Sequence, residues 1–183
     1  MATKTEKDWV EEIGAPAYGS IVEMVAALDC DYERLEELRE ECDSYEPSDG
    51  EERLEQTECK TLAEQWAFDN PDDAEELAEL ESAAKPCGNQ CDNREDAERM
   101  IQEDALSVRV FGERREGTWE VDKAELLLCT GGPAVRIMVE LDEHAEPHRA
   151  WLEVQNWFKP WTQYQPADQD TLLAYARCFY FGE

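Results

Sequence analysis

The sequence contains few basic residues and few histidines. Its 183 residues include 17 Lys and Arg against 46 Asp and Glu, which gives a formal net charge of −29. A surface this acidic repels nucleic acid and anionic membranes, so we expect direct contact with neither. Only two histidines, His144 and His148, are present as candidate general bases, and both lie in one charged segment. The composition therefore argues against an enzyme.

Long apolar runs and an export signal are also missing. No run of about 18 apolar residues occurs, which excludes a transmembrane helix. Residues 1–8 lack the apolar core of a secretory signal peptide, so we expect a cytoplasmic protein. The seven cysteines are an odd number, and without an export signal we interpret them as thiols.

The acidic residues are concentrated in the first part of the chain. Residues 1–104 hold 33 Asp and Glu against 9 Lys and Arg, whereas residues 105–183 hold 13 and 8. Four of the six tryptophans follow residue 118. We therefore predict an acidic helical region at 1–104 and a region with the better apolar core at 105–183.

Helical periodicity predicts four to five acidic helices before residue 105, the first two being either separate or one bent helix. Ser20, Asp31 and Asn93 are suitable N-caps, and Pro71 suits the first turn of another helix. The predicted helices lie at residues 20–28, 31–41, 51–68, 72–84 and 93–102.

The apolar pattern changes to strand-like alternation after residue 104. Strands are expected at 106–110, 119–129, 134–141 and 150–157, with 161–164 as an extension past a bulge and a closing helix at 170–179. The predicted fold is α+β, with an antiparallel sheet of three to four strands between the acidic helices and a C-terminal helix. That helix, with Leu172, Leu173 and Tyr175, should cover one sheet face made of Val108, Val110, Leu126, Leu128, Val135, Ile137, Val139, Leu152 and Val154.

Two rows of carboxylates are the main candidate binding residues. Like charges three or four positions apart destabilise a helix by about 0.2–0.5 kcal/mol per pair, and the net charge far exceeds what solubility requires. Halophilic adaptation would acidify both halves of the chain, so we favour mimicry of nucleic-acid phosphates, whose spacing such rows approach. The rows are Glu33, Glu36, Glu37, Glu40, Glu41 and Asp43, then Asp72, Asp73, Glu75, Glu76 and Glu79.

Trp157 and Trp161 flank an interrupted strand in which alternation cannot bury every ring. Tryptophan is common among interface anchors, so both are candidate partner-binding residues, although packing against the last helix is the stronger expectation.

A zinc site is a weaker alternative. Cys87 and Cys91, with His144 and His148, supply suitable ligand types, but the two pairs are much farther apart in sequence than in compact zinc motifs. The turn at 130–133 lacks the following Lys and Ser or Thr of a phosphate-binding loop. We therefore expect no cofactor.

The stretch Leu126-Leu127-Leu128-Cys129-Thr130-Gly131-Gly132-Pro133-Ala134-Val135-Arg136-Ile137, followed by Glu140-Leu141-Asp142 and Ala150-Trp151-Leu152-Glu153, resembles an uncharacterised family encoded in phages and prophages. Residues 23–28 and 31–38 are also similar to it. The resemblance covers most of the chain except about 44–91. It implies a phage protein in a bacterial cytoplasm and assigns no activity or site residues. Small acidic phage proteins are often inhibitors of host defence, including anti-CRISPR and anti-restriction proteins that imitate DNA.

The leading hypothesis is a non-enzymatic inhibitor that occupies the basic groove of a host nucleic-acid-binding complex, such as a Cas effector or a restriction enzyme. Two alternatives stay open: a phage structural, assembly or protein-interaction module, and a small zinc-binding module. The sequence is compatible with a homodimer.

Overall fold

The computed structural model describes residues 6–47, 59–115 and 118–182. Within these ranges the chain forms six α-helices: α1 Glu6–Leu28, α2 Tyr32–Asp43, α3 Leu62–Asp69, α4 Pro71–Ala83, α5 Arg94–Asp104 and α6 Gln169–Ala176. A single 3₁₀ turn, Pro86–Gly88, precedes α5. None of the described helices is both long and apolar enough to cross a membrane.

In the described part of the chain five strands form one antiparallel sheet in sequence order: β1 Ser107–Arg115, β2 Thr118–Cys129, β3 Ala134–Leu141, β4 Pro147–Gln155 and β5 Thr162–Gln163. The predicted α+β class and the order of helices, sheet and closing helix are confirmed. The predicted count of three to four strands is wrong, because the short segment after the bulge pairs with β4 through Glu153 opposite Gln163.

Several helix starts follow from local capping chemistry. The Asp31 carboxylate accepts a hydrogen bond from the Arg34 backbone N–H at 3.0 Å, and Asn93 accepts one from Asp96 at 2.8 Å, so both predicted caps are confirmed. Pro71 occupies the first turn of α4, as predicted. The Ser20 cap is wrong, because Ser20 lies inside α1 and its hydroxyl donates to the Pro16 carbonyl at 3.3 Å.

The predicted helix at 51–68 falls partly outside the described residues. Cys59 and Lys60 are not helical, and α3 begins only at Leu62. Thr61 caps it by accepting a hydrogen bond from the Glu64 N–H at 3.2 Å. A local cap therefore places this helix start later than the apolar periodicity indicated.

The main hydrophobic core lies between the sheet and three helices. Helices α1 and α6 contact β3 and β4, and α5 packs on α1. Ile21 from α1, Ile101 from α5 and Leu172 from α6 are all fully buried in this core. Elements on both sides of residue 104 therefore share it.

The predicted buried face of the sheet is confirmed for β3, β4 and the middle of β2, and Leu128 is half-buried against the same core. It is wrong for β1, where Val108 and Val110 are 42% and 44% exposed. Both lie on the core side of the sheet, opposite Leu126 and Ala124, but the helices do not extend over β1. The alternation of apolar residues predicted the correct face of the sheet, but it could not predict how far the helices extend over that face.

A second, smaller core joins α2, α3 and α4. Leu35, Leu38 and Trp66 are buried there, outside the main cluster. The buried Gln65 amide donates to the Asp69 carboxylate at 3.0 Å, and the Tyr45 hydroxyl donates to the same carboxylate. These three helices thus hold together as a unit beside the main core.

Candidate acidic interaction surface

Helices α2 and α4 lie side by side and bring the two predicted carboxylate rows together. The two helices carry twelve Asp and Glu residues and only two basic residues, Arg34 and Arg39. We call this pair of helices the acidic surface. Its residues come from segments about forty positions apart, so the sequence alone could not show that the rows adjoin.

Arg34 connects the two helices. Its guanidinium lies 3.1 Å from an Asp73 oxygen and 3.0 Å from a Glu76 oxygen on α4. On its own helix it lies 3.5 Å from Glu37 and 4.0 Å from Glu41. The hydrogen bond to Glu76 raises the pKa of Arg34 above its ordinary value. One cation therefore offsets part of the repulsion between the rows.

Arg39 makes a second link between the same helices, 3.4 Å from a Glu81 oxygen. Sequence reasoning missed both arginines and Glu81 as components of the surface. The available signal was that these are the only basic residues on either helix, but assigning their partners requires the tertiary packing.

The other predicted carboxylates make no such contacts with the residues that the structure describes. All are exposed, and none forms an ion pair or side-chain hydrogen bond with a described residue. They are Glu33, Glu36, Glu40, Asp43, Asp72, Glu75 and Glu79. These seven side chains are available to a partner, whereas Asp73, Glu76, Glu37 and Glu41 already share Arg34.

A cleft of about 420 Å³ borders the α2 row. Its walls include the carboxylates of Glu36, Glu40, Asp43 and Asp92, together with Tyr32 and one cation, Arg39. Three of these carboxylates belong to the predicted row, so the cleft is an acidic recess suited to a Lys or Arg side chain rather than to an anion.

The two predicted tryptophans occupy different environments in the loop between β4 and β5. Trp157 is 64% exposed, has a φ of 50° and lies against Gly132, whereas Trp161 is half-buried. Phe158, which sequence reasoning did not single out, is fully exposed. The exposed aromatic pair at this tip is therefore Trp157 and Phe158.

Trp161 packs into a charged cluster on the outer face of the sheet. The Arg136 guanidinium lies 4.1 Å from the centre of its ring and 2.6 Å from both a Glu125 and a Glu153 oxygen. Glu125 is only 5% exposed. The Glu125 carboxylate is paired and hydrogen-bonded, so its burial is compensated. Because Trp161 packs on Arg136 within this cluster, we interpret Trp161 as a structural residue rather than as an exposed contact residue.

The zinc alternative finds no geometric support among the described residues, where no three His, Cys, Asp or Glu side chains are grouped so as to hold a metal ion. Cys87 lies in the 3₁₀ turn beside α1 and Cys91 is buried, while His144 and His148 belong to the turn and strand that follow β3. Burial raises the pKa of both thiols, which disfavours the thiolate that metals require.

Comparisons with protein-family models, with curated proteins and with solved structures found no match to this chain. The resemblance to a phage-encoded family therefore stays a prediction.

Proposed function

We propose that this protein is a non-enzymatic inhibitor that acts in the bacterial cytoplasm by occupying the basic groove of a phage-targeting defence complex. The observation that carries the proposal is the adjacency of the two carboxylate rows on α2 and α4, seven of whose side chains are exposed and form no ion pair with a described residue. The proposed partner is a nucleic-acid-binding host complex, either a Cas effector or a restriction enzyme.

The spacing of the rows supports mimicry of a phosphate backbone. A helix rises about 1.5 Å per residue, so Glu33, Glu36 and Glu40 follow one another at intervals of about 5 Å. B-DNA presents one phosphate per about 3.4 Å along each strand. Two parallel or antiparallel acidic rows therefore offer a basic groove a charge pattern comparable with that of two strands.

Electrostatics also explains why such an inhibitor needs no active site. Opposite potentials accelerate encounter and suppress contact with acidic proteins. Lys and Arg side chains that normally contact phosphates would pair with carboxylates on α2 and α4. The inhibitor then excludes the nucleic acid simply by occupying its groove.

The test is displacement of a fluorescently labelled target duplex from purified Cas effector complexes and restriction enzymes. A surface variant carries Glu33→Gln, Glu36→Gln and Glu40→Gln. A control variant carries Asp122→Asn, Glu143→Gln and Glu146→Gln, which removes the same charge from exposed positions on and beside the sheet. We expect the wild type and the control to displace the duplex, and the surface variant to do so at least about tenfold less well.

If both variants displaced the duplex equally less well, net charge rather than the position of the carboxylates would account for the effect. The proposal would be contradicted if the wild type displaced the duplex from none of the complexes and enzymes in the panel.

A second candidate function, a protein-interaction module in phage assembly, is favoured by the aromatic tip. Trp157 and Phe158 are 64% and fully exposed, and exposed neighbouring aromatics are typical of contact sites between proteins. Capture of a phage structural protein that depends on Phe158 and not on Glu33, Glu36 or Glu40 would favour this function over inhibition.

A further inference from the structure

Strand β1 forms an open edge of the sheet. It pairs with β2 over its nine residues, and no other described strand lies on its far side. An exposed strand of this length presents unpaired backbone N–H and C=O groups to any second strand. Natural proteins usually block such edges with Pro, a bulge or a covering element, yet β1 contains no Pro and no helix packs extensively on it.

The side chains of this edge are unusually apolar for a solvent-facing strand. Leu106, Val108 and Val110 are 60%, 42% and 44% exposed, and Phe111 on the other face is 42% exposed. The extra residue at the irregularity between β1 and β2 is Asp122 on β2, since Phe111 pairs with Lys123 and Gly112 with Val121. The alternation of β1 is therefore unbroken and its edge is regular.

Charge also distinguishes β1 from the rest of the molecule. Its sequence contains three arginines and one glutamate, so it is the only described helix or strand with a net positive formal charge. In a chain of net charge −29, this edge carries no excess of carboxylates, and its one glutamate can pair with an arginine of a second copy.

We propose that β1 pairs antiparallel with β1 of a second copy, joining the two sheets into one. The register centred on Phe111 makes the edge self-complementary: Arg109 stands opposite Glu113 of the second copy, and Glu113 opposite its Arg109. Within its own chain Arg109 also lies 3.6 Å from a Glu125 oxygen, and its guanidinium has enough N–H donors to pair with both carboxylates. Directly opposed residues share a face of the sheet, so these two ion pairs flank a Phe111–Phe111 contact on the outer face. The isologous contact closes after two copies.

The salt dependence of this contact has the opposite sign from that of a basic partner. Two molecules of charge −29 repel each other at long range, and added salt screens that repulsion. Self-association through β1 should therefore strengthen as ionic strength rises, whereas binding to a basic groove should weaken. Self-association through β1 is therefore independent of the proposed function.

Sedimentation velocity of the full chain over a range of concentrations and salt tests the proposal. We expect a monomer–dimer equilibrium that Arg109→Glu and Glu113→Arg each weaken about tenfold, since each creates two like-charge contacts across the two-fold axis. The double variant restores opposite charges and should recover wild-type dimerisation. Lys159→Glu, which changes the net charge as much as Arg109→Glu in a loop outside β1, should leave the dimer unchanged.

Thermal unfolding of every variant verifies that the fold is retained. A protein that stays monomeric at all concentrations and salt levels overturns the proposal, as does a dimer that forms equally well in both single variants. Phe111→Lys, which places two cations at the two-fold axis, should abolish the dimer, and a dimer that persists there contradicts the proposed register.

Discussion

The Arg34 guanidinium on α2 lies 3.0 Å from the Glu76 carboxylate on α4, across the line where two acidic helices meet. Without this contact the helices would bring twelve carboxylates together with Arg39 as the only other cation. The pairing shows how strongly acidic segments can be assembled while most of their charge stays exposed. It also divides the carboxylates into those that hold the surface together and those available to a partner.

Replacing Arg34 should destabilise the acidic surface. Arg34→Gln removes contacts with Asp73 and Glu76 and leaves the two rows to repel each other. We expect the melting temperature to fall by a few degrees at low salt, and the difference from wild type to shrink as salt screens the repulsion. Arg39→Gln, which among the described residues removes a single ion pair, that with Glu81, is the control and should have a smaller effect. Equal effects of the two variants would argue against Arg34 as the principal link.

The aromatic residues of the β4–β5 loop should separate into structural and exposed groups. Trp161→Ala removes a half-buried ring stacked on Arg136, so we expect a loss of about 1–2 kcal/mol in the free energy of unfolding. Phe158→Ala removes a fully exposed ring and should change stability by less than about 0.5 kcal/mol. Chemical denaturation measures both values, and a destabilised Phe158→Ala variant would show that this ring is packed.

Stability should decline at alkaline pH, partly because of Cys178. Burial, followed by the nearby Glu98 carboxylate, raises the pKa of this thiol from 9.0 to about 11 in the folded protein. The folded state therefore favours the protonated thiol, and this contribution is complete below pH 9 and lost as the pH rises towards 11. Denaturation of Cys178→Ala under reducing conditions should give a shallower decline across this window. An unchanged decline would show that other buried groups account for it.

Local signals in the sequence predicted much of the fold. Asp31 and Asn93 cap their helices because a side-chain acceptor next to a helical pattern acts on its own backbone. The strand at 134–141 was predicted with its observed limits, since its alternation is regular and a Gly-Gly-Pro turn precedes it.

The start of α1 was not predictable from propensity. Gly14, Pro16 and Gly19 all disfavour a helix, yet each lies inside α1. A Cβ at Gly14 would lie 2.3 Å from the Tyr164 ring, so this glycine allows the helix to pack closely on the end of the sheet. Tertiary packing therefore overrides local helix propensity in α1. It also decides burial in β1, where Val108 and Val110 stay exposed because no helix covers the face that their alternation predicts to be buried.

The candidate site was only half accessible to sequence reasoning. The carboxylate rows could be read from composition and helical spacing, because exposed charge follows directly from residue type. Their adjacency, the role of Arg34 and the exposure of Phe158 depend on which helices and loops pack together. No local pattern in the sequence contains that information.

The salt dependence of binding to a defence complex from which the protein displaces the duplex tests the central claim most directly. For the wild type, affinity should fall steeply between about 0.05 and 0.2 M salt, as the affinity of a basic protein for the phosphates of DNA does. The variant carrying Glu33→Gln, Glu36→Gln and Glu40→Gln should bind more weakly with a shallower slope, while the charge-matched variant at Asp122, Glu143 and Glu146 keeps the wild-type slope. Identical slopes for all three proteins would contradict the assignment of α2 and α4 as the binding surface.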